Sequence, residues 1–233
     1  MIRKKLGFTL SEILIAPTVI GVVAVLVMPQ LVLGQKAAQA QAQFSTAYSL
    51  LAKSIADMDA DDVSVDPKDY LAAGSFYPVL KKYQKITIDC GVYQATNDSV
   101  CISTTNRDST SDYLNRKGNT KMDANLLDDG AFVLNNGMLF AVENNTNNPN
   151  GLLVLIDING KNKRPNRLGY DLFAFEIVKG DVLPVGSPGT LAKWSNNPST
   201  YCNDTSSSNL NGMTCAYYAA TDQEYFKKIY NGH

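Results

Sequence analysis

Few side chains in this chain are equipped for bond-making chemistry, and their spacing narrows what they can do. The only histidine, His233, is the last residue. A nucleophile activated by imidazole, or a general acid–base pair built on it, therefore has nothing to work with in the interior. Asp128 and Asp129 stand next to each other before Gly130, which reads as a loop before it reads as a catalytic pair. No G-x-x-x-x-G-K loop or G-x-G-x-x-G turn occurs to hold a phosphate. The expectation is a protein that is not an enzyme and carries no cofactor. Asp157, Asn159 and Asp171 do offer oxygen ligands of the kind calcium takes. Lys161, however, stands where a calcium loop wants another oxygen, and Lys163 and Arg164 follow closely. A cationic cluster repels a divalent ion, so the reading taken is a tight turn at Asn159-Gly160 stiffened by Pro165, with calcium as the alternative.

The remaining reactive position is Glu12. It is the single charge between Phe8 and Leu33, and the basic residues Arg3, Lys4 and Lys5 come just before that stretch. Twenty-six helical residues span about 39 Å, more than the ~30 Å hydrocarbon core of a bilayer. The basic leader predicts a cytoplasmic amino end with the rest of the chain outside. A carboxylate inside such a helix costs roughly 2.5–3.5 kcal/mol at the centre and less near an end, so it asks for a cationic partner. Three processing outcomes fit the composition. Cleavage at Ala38-Gln39-Ala40 makes the segment a signal peptide, no cleavage makes it an anchor, and cleavage at Gly7 leaves the apolar helix on the mature chain.

Gly7, Phe8, Thr9, Leu10 and Glu12, followed by Gly21 and Pro29, resemble the type IV pilin and type II secretion pseudopilin family over about 25 residues. Ser11 stands where an aliphatic residue is commoner, and Pro17 is an extra proline. The resemblance implies cleavage after Gly7 by a membrane-bound prepilin peptidase and methylation of the new amino terminus at Phe8. It also implies that Glu12 pairs with the Phe8 amine of a neighbouring subunit during assembly. An ammonium and a carboxylate are each costly in lipid and much less so together. The implied protein is a structural subunit of a type IV pilus-like or type II secretion pseudopilus filament. It would be held in the bacterial inner membrane with its head in the periplasm or outside. Its partners would be copies of itself or related pilin subunits, the peptidase and an inner-membrane assembly platform. Some pseudopilins carry calcium in a loop, but the Asp157-x-Asn159-Gly160, Pro165-Asn166 and Gly169-x-Asp171-x-Phe173 pattern is similar to one in bacterial pilin-like proteins, a resemblance that implies a structural role. The alternative is a secreted binding module with a conventional signal peptide.

That topology places the four cysteines, Cys90, Cys101, Cys202 and Cys215, in an oxidising compartment. Four cysteines allow three pairings. Cys90–Cys101 and Cys202–Cys215 are favoured because each closes a short polar segment, for a gain of about 3 kcal/mol per bond. Zinc fits poorly, since there is no C-x-x-C and the one histidine is terminal. The full chain has a net charge of −1; loss of Arg3, Lys4 and Lys5 leaves 18 basic against 22 acidic residues, a net of −4. Nucleic acid finds no footprint in that balance, and the basic stretch Lys161 to Arg167 reads as a solvated turn.

The elements that position these groups are legible from periodicity. Pro17 and Pro29 predict kinks in the apolar segment. Beyond it, Phe44, Ala47, Tyr48, Leu51, Ile55 and Met58 recur at three- and four-residue steps, which predicts one helix from Phe8 to about Met58, roughly 75 Å long. Residues 131–134 and 138–142, joined by Asn135-Asn136-Gly137, predict a hairpin, with further strands at 152–158, 172–178 and 182–183. The fold class expected is α+β with four or five antiparallel strands against one long helix. Residues 57–69, 144–150 and 194–212 read as surface loops, and the acidic run Asp57, Asp59, Asp61, Asp62 and Asp66 reads as a solvated helix end, with a cation site as the alternative. The segment 215–230 is a strand followed by a short helix or some other arrangement that periodicity does not decide. Its aromatics, Tyr217, Tyr218, Tyr225, Phe226 and Tyr230, are expected to pack on the head. The chain thus divides into a leader (1–7), a membrane and assembly half-helix (8–33), an amphipathic half-helix (34–58) and a head (59–233).

Overall fold

The computed structural model describes residues 10–92, 99–102, 113–144 and 151–231, and the side chains of the first helix at residue 28 and from residue 30 onward. Within that set, helix α1 runs over Leu10–Ala60, 51 residues, and passes through Pro17 and Pro29 without a break. Its head-facing side buries Ala37, Ala40, Phe44, Ala47, Leu51, Ile55 and Met58, a spacing that keeps one stripe facing the sheet. The buried stripe thus extends the sequence-derived face two positions upstream, with alanines that let the helix lie close to its support. Tyr48 sits at the edge of the stripe, its ring stacked 5.8 Å from Phe175 and its hydroxyl donating to the Val182 carbonyl at 3.1 Å.

The end of α1 is set by local hydrogen bonding. The Asp62 N–H donates to the Asp59 carbonyl at 3.1 Å and the Val63 N–H reaches back to the Met58 carbonyl at 2.9 Å. Asp62 takes φ +55, so the two bonds form a Schellman cap with an aspartate in the left-handed position usually given to glycine. Val63 then packs on the core that Met58 enters. The acidic run, expected as a solvated helix end, begins inside α1, which continues to Ala60, so the segment expected as loop from Asp57 starts only after that residue; Lys53 bridges Asp57 at 2.6 Å and the Tyr83 hydroxyl donates to Asp61 at 3.0 Å. Asp66 caps a 3-10 turn at Pro67–Asp69.

After the short helix α2 (Tyr77–Leu80) come six strands: β1 (Ile86–Gly91), β2 (Ala131–Leu134), β3 (Leu139–Glu143), β4 (Leu152–Asp157), β5 (Leu172–Val178) and β6 (Asp181–Pro184). They form one antiparallel meander in sequence order. The architecture is α+β. The sheet has six strands instead of four or five because β1, short and half exposed along one face, pairs as an edge strand with β2. The β5–β6 connection is a two-residue turn in which Lys179 and Gly180 both take positive φ, matching the twist of the hairpin.

Strands β2 to β5 are buried on both faces. One face, including Phe132, Phe140, Val154, Phe173 and Phe175, joins the α1 stripe. The other, including Val133, Leu139, Leu153, Leu155 and Ala174, is covered by Tyr113, Met122, Trp194 and Met213 from loop segments. That second cover explains why these strands are continuously apolar instead of alternating. The chain closes with two helices, α3 (Cys215–Thr221) and α4 (Tyr225–Asn231), where a strand followed by a helix was one expectation. Phe44 holds this junction: its ring meets Phe173 edge-on at 4.9 Å and Phe226 of α4 at 5.9 Å. Tyr225 and Phe226 are buried, and Tyr217, Tyr218 and Tyr230 partly so, as packing predicts.

Candidate functional site

Asp157 ends β4 and Asp171 precedes β5, and the connection between them folds back over both. Asp157 is fully buried; its Oδ2 accepts from the Tyr113 hydroxyl at 2.6 Å and its Oδ1 from the N–H groups of Asn159 at 3.1 Å and Gly160 at 2.8 Å. Asp171, equally buried, accepts from the N–H groups of Asn166 at 2.7 Å and Arg167 at 2.6 Å. Gly160, at φ +83, lies so close to the β2–β3 turn that a Cβ would come 2.3 Å from the Gly137 carbonyl oxygen. Loss of water raises both carboxyls: Asp157 is pushed up to about 7 by burial and then by the charge of Asp171, and Asp171 up to about 6 by burial.

Asp157, Asn159 and Asp171 are thus brought together, and they are the residues in this connection that could hold a cation. Their carboxylate oxygens are engaged by backbone donors and by Tyr113, which is how aspartates stabilise a turn. The Asn159 amide nitrogen is 3.5 Å from Asp171, and its Oδ1 is buried with no hydrogen-bond partner. Lys161 turns to the Cys101 carbonyl. The peptide bond before Pro165 is cis.

A second group of acids was not legible in the sequence. Asp128, Asp129 and Glu143 each place a carboxylate oxygen within 4.8 Å of the others. Asp129 Oδ2 accepts from the Asn144 N–H at 2.9 Å, and burial raises its pKa. Asn144 in turn donates to the carbonyls of Tyr70 at 2.8 Å and Ala72 at 2.6 Å, tying the end of β3 to the segment after α1. The adjacent pair was visible as a loop; its approach to Glu143 depends on the β2–β3 pairing, fourteen residues downstream of Asp129. Clustered acids alone do not define a metal centre.

Gly7 and Phe8 lie outside the described residues. Glu12 falls within α1, its side chain outside the described set. Among the described residues no helix is long and apolar enough to cross a membrane, and most side chains of the run Phe8–Leu33 fall outside that set. Where the description of side chains begins, Met28, Leu31 and Val32 are exposed at 62%, 60% and 48%, immediately upstream of the stripe that seats α1 on the head. The disulfides are Cys90–Cys101 and Cys202–Cys215, spanning 11 and 13 residues. The first joins β1 to the segment over the second sheet face, and the second joins the 194–212 loop to α3.

Comparison with known proteins finds no matching family model, curated protein or solved structure.

Proposed function

We propose that the chain is a structural subunit of a type IV pilus-like or type II secretion pseudopilus filament, cut after Gly7 by a prepilin peptidase and N-methylated at Phe8. The observation that carries this reading is the continuity of α1. One end of the helix is seated in the head through Ala37 to Met58, and the turns just before it expose Met28, Leu31 and Val32. In the sequence those turns continue an apolar run whose only charge is Glu12. Apolar surface of that length on one helix calls for cover, either lipid or the equivalent helices of other subunits. Transfer from the first to the second is assembly, and pairing of Glu12 with the Phe8 amine of a neighbour sets the axial register. The mature chain rests in the inner membrane, amino end inward, before it joins the fibre on an assembly platform.

The secreted-module alternative requires cleavage after Ala40. That cut would remove Ala37 and Ala40, which are 2% and 4% exposed against the head. An ordinary signal peptide is not expected to form part of the core of the protein it exports.

Two measurements test the proposal. Mass spectrometry of the natural protein is expected to find methylated Phe8 as the first residue; a start at Met1 or Gln41 refutes it. Glu12→Val is expected to insert in the membrane at wild-type levels while sheared-filament yield falls at least tenfold. Undiminished filaments from that variant overturn the role given to Glu12.

A further inference from the structure

Between α4 and the turn that carries Arg167 and Tyr170, the head contains a cavity of about 400 Å³. Among the described residues four cations line it, Arg116, Lys117, Arg167 and Lys228, against one acid, Asp204. Arg116 is 8% exposed and anchored from below: its Nη1 donates to the Tyr225 hydroxyl at 2.8 Å, and that hydroxyl donates to the Gly169 carbonyl at 2.6 Å. Its Nε donates to Asp204 at 2.9 Å, but the Asp204 side chain is 79% exposed. Burial works against the Arg116 charge; Tyr225 and Asp204 hold it ionised. The Arg167 guanidinium lies 4.1 Å from the Tyr170 ring centre, and that of Arg116 lies 5.7 Å from the same centre. Arg167 Nε is buried with no hydrogen-bond partner. Lys228 bridges Asp222 at 2.6 Å, so even with that acid counted the described residues around the cavity carry a net charge of +2.

Two guanidiniums lie against one tyrosine, Arg167 Nη2 donates to the Arg116 carbonyl, and the exposed Asp204 is bonded to Arg116 alone, so the two like charges are only partly offset. A fixed fork of donors and an unspent buried N–H suit a tetrahedral oxyanion. We propose that this cavity binds the phosphate or sulfate group of a ligand, with Arg116 and Arg167 as the principal donors and Lys117 and Lys228 at the rim. Asp204 is the internal anion that the ligand displaces. The net charge of +2 favours a dianion over a carboxylate. The site is independent of Glu12 and of filament formation.

The test is calorimetric titration of the full chain in detergent with inorganic phosphate, sulfate and acetate, each at an ionic strength held constant with sodium chloride. Saturable binding of phosphate and sulfate at one site, with acetate at least tenfold weaker, is expected. Arg167→Gln is expected to weaken phosphate at least tenfold and Lys117→Gln, which is exposed, about threefold, both with unchanged circular dichroism. Asp204→Asn distinguishes a binding site from a packing contact, because removing the competing anion should tighten phosphate severalfold. Titration with a short-chain phosphatidic acid separates two sources: tighter binding than phosphate assigns the group to a lipid headgroup, and equal binding to a free ion or soluble ester. No heat above chloride, equal affinity for acetate, or weaker binding by Asp204→Asn overturns the proposal.

Discussion

Asp157 and Asp171 face one another across Asn159 at the base of the 158–170 connection, and their burial makes the head sensitive to pH. Their folded pKa values stand above the unfolded ones, so between about pH 4 and pH 7 the folded state binds protons that the unfolded state has released. The stability they contribute is therefore complete below the ordinary carboxylate range and is lost as pH rises towards neutrality. Asp157→Asn keeps an acceptor for the Asn159 and Gly160 N–H groups and removes one of the two titrating carboxyls. Between pH 5 and pH 8 the melting temperature of this variant is expected to fall less steeply than that of the parent. Parallel profiles in differential scanning calorimetry would refute the assignment. Both aspartates were conspicuous in the sequence as oxygen ligands. The engagement of Asp157 by Tyr113, 44 residues away, was not, because no local pattern encodes that contact.

At the scale of elements, α1 depends on its stripe. Phe44 occupies the point where β5 and α4 both meet the helix, and its edge-on contact with Phe173 leaves no easy way to collapse after truncation. Phe44→Ala is expected to cost about 3–5 kcal/mol, measured as a lower urea midpoint with an unchanged slope. A change under 1 kcal/mol would mean that the helix is carried by its upstream part instead. The face was readable in advance because a helix against one support repeats at 3.6 residues whatever it packs on. The hairpin at Gly137, which takes φ +86, was readable because a tight turn demands particular residues. Strand β1 and helices α3 and α4 were not: each is seven residues or shorter, too few for periodicity to separate helix from strand.

For the whole molecule, the two disulfides secure the irregular layer that covers the second face of the sheet. Cys202–Cys215 closes 13 residues, which the chain-entropy model values at about 3 kcal/mol. The double variant Cys202→Ser, Cys215→Ser is expected to melt roughly 6–12 °C lower. An unchanged melting temperature would show that the 194–212 loop is held by other contacts alone. Such a layer has little regular structure of its own, and bonds such as Asn211 Nδ2 to the carbonyls of Asn203 and Ser206, both at 2.8 Å, do part of the same job locally.

The amino-acid order by itself determined the long helix and its seated face, the apolar run with its lone Glu12, the hairpins and the preference for local cysteine pairs. All of these are properties of neighbours along the chain, where steric limits, periodicity and loop length act directly. Tertiary structure alone decided that both faces of the sheet are covered, that Glu143 approaches Asp128 and Asp129, and that Arg116 meets Tyr225 across 109 residues. Those outcomes follow from how distant segments share one buried volume, where each polar group takes whichever partner the packing brings within reach.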